Sequence, residues 1–256
     1  MKANRGTRRF FSCAVVGMAL AGGGCSTWSS RVEEPQPFRM VARRASSPIR
    51  VDGLLDEAVW AEAIVYPLML SKADEEAGKT LTEAGLVRLS WDNDYLYIAI
   101  DYLDSDLVAE GEEDHLHHYR LGDLAEVFLK PEGARYYWEL YVTPGGNRST
   151  FFFPSRGRQT PSVFDYRFDL PVAAQIRGTL NDWRDTDTGW TAEMAVPVRE
   201  LTARGASFEA GALWRILVAR YNYGEPLTAQ ELSSTPKLSR TNFHLHEDYA
   251  ILELAE

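Results

Sequence analysis

Carboxyl side chains at Asp123, Glu126 and Glu139 are the residues of this sequence best suited to acid–base chemistry. Hydrolysis of a glycosidic bond uses two carboxyl groups, one as the acid and one as the base or nucleophile. Asp123 and Glu126 would point to opposite faces of a strand, because successive side chains alternate. That pair is therefore a poor catalytic dyad. Glu126 and Glu139 would lie side by side if their two strands pair, so they are the better-placed pair.

Histidines form the most unusual local cluster, at His115, His117 and His118, directly after an acidic stretch. On a loop, His115 and His118 could chelate a metal ion together with Asp114. The alternative is a solvated acidic loop that carries some histidines. If that loop borders a ligand cleft, the imidazole rings could instead stack on the ligand or form hydrogen bonds with it.

Three aspartates, Asp101, Asp104 and Asp106, follow a predicted strand. Oxygen ligands at such spacing suit Ca²⁺. The spacing is not that of a dedicated calcium loop, and acidic turns are common, so a plain turn is the alternative.

The first 24 residues predict export. A basic, acid-free stretch precedes a short apolar run at residues 10–20, which is typical of a secretion signal and too short to span a bilayer permanently. The paired arginines resemble a twin-arginine signal, and export by the Sec route fits equally well.

Small residues before Cys25 resemble the cleavage box of bacterial lipoproteins, although Gly22 stands where that box prefers leucine. We expect residues 1–24 to be a signal peptide, Cys25 to be lipidated, and residues 25–46 to form a flexible tether. The lipid would anchor the protein to the bacterial outer membrane or cell surface. Plain cleavage near the same point would leave it periplasmic or secreted.

Cysteine usage and charge exclude several classes of function. The only cysteines are Cys13, in the predicted signal, and Cys25. A disulfide framework, a cysteine nucleophile and a cysteine metal site are therefore excluded from the folded part. The formal net charge of −10 repels phosphate backbones, so nucleic acid is not an expected partner.

The remaining sequence reads as short strands with a period of two. Val87–Trp91 and the strand that contains Leu96, Ile98, Ile100 and Tyr102 predict a hairpin around Asp92-Asn93-Asp94. Further strands are predicted at 124–129, 136–142, 149–153, 172–177, 190–195, 213–221 and 249–254. Helical periodicity is confined to residues 56–64 and 198–201. This pattern favours an all-β sandwich or barrel, with one domain over residues 47–256.

Five blocks of sequence, in order, resemble family 9 carbohydrate-binding modules. They are Ile49–Trp60 (IRVDGLLDEAVW), Trp91–Tyr97 (WDNDYLY), Gly122–Phe128 (GDLAEVF), Trp190–Pro197 (WTAEMAVP) and Phe243-His244. The resemblance covers about residues 47–255. It implies a two-sheet antiparallel β-sandwich, jelly-roll-like, with one or two short helices. It also implies sugar binding without catalysis, with structural calcium as the one added group.

The resemblance assigns roles to four positions. In sugar-binding members, two tryptophans from separate loops enclose the terminal sugar, and the equivalent positions here are Tyr119-Arg120 and Phe243. Neither position is tryptophan, but Tyr, Phe and the plane of Arg can also stack on a sugar. The family's strand glutamate, which reaches ligand hydroxyls, is retained as Glu126.

Three further ligand contacts are expected from their placement. Arg220 lies where a strand runs out into a loop, Glu139 would lie beside Glu126, and Trp183 lies in a polar loop. The alternative for Glu126 is an ion pair with Arg135, Arg220 or another cation. Tryptophans 60, 91, 138, 190 and 214 fall on apolar faces of regular elements and are expected to be packing residues.

The sequence thus favours non-catalytic binding of a plant-type polysaccharide or oligosaccharide, such as xylan, at the cell surface. Such binding would support polysaccharide breakdown beside a glycoside hydrolase partner. One alternative is a structural surface lipoprotein that has lost its ligand. Another is a haem-binding sandwich, in which His244 or His246 with Met194 would supply the axial ligands.

Overall fold

The computed structural model describes residues 37–158, 160, 165–225 and 227–256, so the predicted signal peptide and Cys25 lie outside the described residues. The described residues contain three short helices, α1 (Ala58–Glu62), α2 (Lys72–Glu76) and α3 (Val198–Thr202), and two 3₁₀ turns, His118–Arg120 and His246–Asp248. The strands are β1 (Arg39–Arg44), β2 (Tyr66–Pro67), β3 (Gly85–Trp91), β4 (Tyr95–Tyr102), β5 (Leu124–Pro131), β6 (Tyr137–Val142), β7 (Arg148–Phe153), β8 (Val172–Arg177), β9 (Gly189–Pro197), β10 (Trp214–Asn222), β11 (Glu231–Thr235) and β12 (Ala250–Ala255).

The strands form one hydrogen-bonded path in the order β7-β6-β5-β10-β12-β1-β3-β4-β9-β8, with β11 on β10 and β2 on β3. The expectation of an all-β fold with few short helices is confirmed. The expectation of two purely antiparallel sheets needs correction. Strand β1 pairs in parallel with both β12 and β3, and so joins the two halves into one mixed, barrel-like sheet.

Strand β1 also corrects the predicted tether over residues 25–46. Met40 and Ala42 are fully buried, while Arg39 and Arg43 point outward, so residues 39–44 alternate as a half-buried strand does. Two prolines just upstream suggested a linker, but the folded unit begins before residue 39.

The main core lies between the two halves of the path. Side chains from one half, such as Leu89, Ile98 and Met194, belong to the same apolar cluster as Val127 and Leu140 from the other half. The five tryptophans expected to be packing residues are all buried. The predicted hairpin is confirmed as β3 and β4, and the predicted helical pieces appear as α1 and α3.

A second cluster covers the opposite face of β5, β6, β7 and β10, and we call it the outer aromatic face. Its members from the strands are Leu124, Phe128, Tyr137, Tyr141, Phe151, Phe153, Leu217 and Ala219. The segment 236–249 lies over it and adds Leu238, Phe243 and Tyr249. Among the described residues, no helix is long and apolar enough to cross a membrane.

Candidate functional site

A cavity of about 410 Å³ opens on the outer aromatic face. That volume is within the range of small-ligand sites. Rings of Phe128, Phe151, Phe153, Tyr221 and Phe243 line its walls. Because side chains alternate along each strand, Phe128 of β5, Tyr141 of β6 and Phe151 of β7 share this face, while their neighbours point towards the main core.

Two carboxyl groups, Glu126 and Glu139, line the cavity from adjacent strands. Glu126 pairs in register with Tyr141, and Glu139 pairs with Phe128, so the two glutamates are diagonal neighbours on one face. Only 3% of Glu126 and 6% of Glu139 is exposed. The Tyr141 hydroxyl donates a hydrogen bond to Glu139 Oε1. The Oε2 atoms of both glutamates have no hydrogen-bond partner among the described residues.

Burial raises the pKa of both carboxyls, because the charged form loses its water. For Glu126 the neighbouring Glu139 adds to this effect, and the pKa of Glu126 lies well above its ordinary value. Burial raises the pKa of Glu139 to about 7, with the hydrogen bond from Tyr141 acting in the opposite direction. The two groups therefore titrate as one coupled pair that retains protons near neutral pH.

Three aromatic side chains form the rim of the cavity. The Tyr221 ring lies between the other two, 5.8 Å from the Tyr119 ring and 5.6 Å from the Phe243 ring between centroids. Tyr119 and Tyr221 are half-buried, whereas Phe243 is only 7% exposed. Tyr119 and Tyr221 therefore offer more ring surface to a ligand than Phe243 does.

Asp123 fixes the turn that carries Tyr119. Its carboxylate accepts hydrogen bonds of 2.7 Å from the backbone N–H groups of Val108 and Tyr223. The Tyr223 hydroxyl then donates to the Tyr119 carbonyl at 2.6 Å. Gly122 precedes Asp123 at φ 141°, and a Cβ atom there would lie 2.1 Å from the Val108 carbonyl oxygen. These contacts explain why the sequence places Gly-Asp at the start of β5.

Hydrogen bonds also hold the covering segment 236–249. The Tyr249 hydroxyl donates to the Phe243 carbonyl at 2.5 Å, and the Tyr137 hydroxyl lies 2.9 Å from His244 Nδ1. His244 lines the cavity, with Nε2 4.0 Å from Glu139 Oε2. Burial, with a smaller effect of Arg156, lowers the pKa of His244.

The structure brings together four of the seven predicted ligand contacts, namely Tyr119, Glu126, Glu139 and Phe243. Arg120 is exposed and does not line the cavity. Its Nε donates to the Tyr119 hydroxyl at 2.9 Å and its guanidinium lies 5.1 Å from the centre of that ring. Arg120 therefore supports Tyr119 and is not itself part of the cavity wall.

Arg220 was predicted to contact ligand, and the structure places it elsewhere. On β10 it is Ala219, not Arg220, that pairs with Glu126, so the Arg220 side chain enters the opposite face of the sheet. It is fully buried, with Nη2 2.9 Å from Asp104 Oδ2 and 2.7 Å from Asn222 Oδ1. The alternative ion pair between Glu126 and Arg220 is excluded for the same reason.

Trp183 is also outside the cavity. It lies in the loop between β8 and β9, in the other half of the sheet, and is 71% exposed. It is a free aromatic surface but not a part of this site.

The three aspartates predicted to bind calcium do not come together as a metal site. Asp101 pairs with Arg177 at 3.0 Å, and Asp104 pairs with Arg220 at 2.9 Å. Asp106 accepts a 2.6 Å hydrogen bond from the backbone N–H of Glu225. The described residues contain no group of three or more His, Cys, Asp or Glu that could hold a metal ion.

The histidine cluster is divided in the same way. Asp114 engages Arg148, and His118 is buried beneath the loop, so the predicted chelate of His115, His118 and Asp114 does not form. His117 instead lines the cavity, and its ring stacks on Phe151 at 5.6 Å with an interplanar angle of 11°. The loop thus borders the cavity through His117, and stacking or hydrogen bonding of that ring to a ligand stays a prediction.

The haem-ligand arrangement does not form either. Met194 belongs to the main core, whereas His244 lines the cavity on the outer aromatic face and the His246 ring lies 4.5 Å from the Tyr137 ring of the same face. Met194 and either histidine are on opposite sides of a sheet layer and cannot face one iron atom.

Sequence reasoning missed Tyr221, Tyr141, Phe128 and Phe151 as cavity residues. The available signal was their alternation: each shares a face with Glu126 or Glu139 on its strand or on a paired strand.

Comparisons with known proteins place this geometry in a known fold. No family model and no curated protein matches the chain. A solved structure from Bacteroides uniformis, itself provisionally described as a carbohydrate-binding protein, is similar with a TM-score of 0.65 and 14% identity, over 86% of this chain and 100% of that one. A family 9 carbohydrate-binding module from Caldicellulosiruptor kristjanssonii, in complex with cellotriose, gives a TM-score of 0.59 and 12% identity over 85% of this chain and 93% of that one.

A family 9 module from the same organism in complex with glucose gives a TM-score of 0.58 and 12% identity, over 84% of this chain and 95% of the other. Identities this low establish the fold alone. The chain therefore has the fold of family 9 carbohydrate-binding modules.

Proposed function

We propose that this protein binds carbohydrate without catalysis, in the cavity of the outer aromatic face. One observation carries the proposal: an open cavity of about 410 Å³ combines aromatic walls with buried carboxyl groups. A sugar presents apolar C–H faces that aromatic rings can cover, and hydroxyl groups that can form hydrogen bonds with carboxyl groups in either protonation state. The fold shared with modules solved with cellotriose and glucose supports the same proposal.

The ligand we propose is an oligosaccharide or plant-type polysaccharide such as xylan or cellulose. A single cavity with few anchoring rings implies weak binding, in the micromolar to millimolar range. Lipidation at Cys25 would hold many copies on one surface, and avidity would then raise the effective affinity. In this proposal the protein retains polysaccharide at the cell surface for a separate glycoside hydrolase.

Calorimetric titration tests the proposal. The protein from residue 26 onward, which keeps every described residue, is titrated with cellotriose, xylotriose and glucose, with and without Ca²⁺. We expect saturable binding that Tyr119→Ala and Tyr221→Ala each weaken about tenfold, equivalent to about 1.4 kcal/mol. Calcium-dependent binding would retain calcium as a cofactor at a site other than the three aspartates.

Trp183→Ala is the matched control, because it removes an exposed aromatic ring outside the cavity. It should leave binding unchanged. If Trp183→Ala abolishes binding while the two tyrosine variants do not, the site is misplaced.

A ligand-free surface role is the second candidate, and the burial of Phe243 at 7% exposure favours it. Failure of every glycan to bind a correctly folded protein would support that role.

A further inference from the structure

We propose that the cavity selects sugars with a protonated amine, and that Glu126 and Glu139 together hold the ammonium group. The inference rests on the proposed function and specifies the class of ligand at the same site. A 2-amino sugar with a free amine, alone or as a β-linked oligomer, is the simplest such ligand.

The first observation is the pair of unsatisfied carboxyl oxygens. Both glutamates are more than nine-tenths buried and line the cavity, and the Oε2 atom of each lacks a hydrogen-bond partner among the described residues. Buried polar atoms are nearly always hydrogen-bonded, and unpaired ones suggest a group that is absent. The two carboxyls also lie within hydrogen-bonding reach of each other, so in the free protein they share a proton. One donor with several N–H bonds would replace that proton and reach both strands.

The second observation is that no strong cation compensates the pair. No lysine or arginine is among the described residues that line the cavity. His244 Nε2 is 4.0 Å from Glu139 Oε2, but burial lowers the pKa of His244 and favours its neutral form. The other titratable groups near the pair are Tyr137, Tyr141, Tyr221 and Tyr249, whose pKa values burial raises, so all four are neutral at ordinary pH.

Arg156 is close enough to influence His244 and Tyr137, but it pairs with Glu247 at 2.7 Å. The nearest buried guanidinium, Arg220, is on the opposite face of the sheet, bound to Asp104.

The walls of the cavity also favour a cation. An ammonium group near the faces of aromatic rings is attracted by their quadrupole. A primary ammonium group has three N–H donors and a compact charge, so it can form hydrogen bonds with the carboxyl groups of Glu126 and Glu139 at the same time. A neutral sugar hydroxyl would donate only one hydrogen bond and would bring no charge to compensate the ionised pair, so the pair would keep its protons.

Binding of an ammonium group should release a proton. The pair retains protons near neutral pH because burial raises both pKa values, and repulsion from Glu139 adds to the rise for Glu126. A cation between the two carboxyls favours their ionised form, so a proton leaves as the ligand enters. A neutral ligand has no such effect.

The experiment compares three trisaccharides by calorimetry at about pH 6 and 150 mM salt: the β-1,4-linked trimer of glucosamine, its N-acetylated counterpart, and cellotriose. Titrations in buffers of different ionisation enthalpy count protons. We expect the free-amine trimer to bind about tenfold or more tightly than the other two, as charge-assisted hydrogen bonds allow. We also expect proton release with the free-amine trimer only.

Glu139→Gln should remove both the preference for the free-amine trimer and the proton release. Glu209→Gln removes one negative charge at an exposed position outside the cavity and should change neither. If Glu139→Gln does not fold, the affinities of the three trisaccharides and the number of protons released on binding to the unmodified protein still test the inference.

Equal or tighter binding of cellotriose, or a preference that persists in Glu139→Gln, would overturn the inference and leave carbohydrate binding intact. Absence of binding by all three trisaccharides would overturn both proposals.

Discussion

Replacing Glu139 by glutamine should stabilise the protein at neutral pH and leave it unchanged in acid. The amide of the substituted side chain keeps an oxygen that accepts the hydrogen bond from Tyr141, and it is almost isosteric with a protonated glutamate. The substitution therefore removes the ionisation of the carboxyl and little else.

The magnitude follows from the pKa shift. Burial raises the pKa of Glu139 from 4.5 to about 7. A group whose pKa is higher in the folded state contributes stability below its unfolded pKa, and the contribution is lost as pH rises towards the folded value. At 1.36 kcal/mol per pKa unit, the loss between about pH 4.5 and 7 is about 3 kcal/mol for the coupled pair. Glu139→Gln should recover that amount at pH 7.5 and nothing at pH 4.5.

Urea unfolding at several pH values measures the difference between Glu139→Gln and the unmodified protein. Other buried carboxyls with raised pKa values, such as Asp123 and Glu193, contribute to both proteins and cancel. In thermal unfolding the recovered stability corresponds to about 6 to 12 °C. Glu209→Gln, at the surface, should show no such difference. If the difference in free energy of unfolding between Glu139→Gln and the unmodified protein stays constant from pH 4.5 to 7.5, the argument that Glu139 belongs to a buried carboxyl pair without a compensating cation is refuted.

Two further predictions concern stability. Arg220→Leu should lower the free energy of unfolding in urea by about 3 to 5 kcal/mol, because it leaves Asp104 as a buried, unpaired charge. Arg199→Leu is the control: Arg199 is exposed, 3.9 Å from Glu200, and its replacement should cost less than about 1 kcal/mol. Equal losses in the two variants would contradict the argument. A protein that begins at residue 47 should have a free energy of unfolding about 3 kcal/mol or more below that of one that begins at residue 37, because it lacks β1 and its buried Met40. Equal urea midpoints would show that β1 is dispensable for stability.

Alternation in the sequence predicted most of the strands and the faces of β4 and β6. Trp138, Leu140 and Val142 enter the main core, while Tyr137 and Glu139 face outward, as a period of two requires. Strand β1 could not be predicted in the same way. It is short and follows prolines, and its partner β12 lies at the other end of the chain, so no local feature indicates the pairing.

The rim of the cavity was only partly predictable. Tyr119 and Phe243 were expected from family resemblance, and the structure places both beside Tyr221. Tyr221 was missed because its position on the cavity depends on how β10 pairs with β5. A loop residue such as Trp183 has no periodicity at all, and its distance from the cavity is set by the order of the strands.

The register of β10 against β5 decides the chemistry of the site. A shift of one residue moves every side chain of a strand to the other face. Had Arg220 paired with Glu126, its guanidinium would have faced the carboxyl pair and neutralised it. Because Ala219 holds that position instead, Arg220 pairs with Asp104 in the interior and the cavity keeps two carboxyl groups without a guanidinium beside them. The pairing of β10 with β5 thus puts Glu126 on the cavity face and Arg220 on the opposite face, and no lysine or arginine lines the cavity among the described residues. This arrangement is the reason for proposing a ligand with a positively charged group.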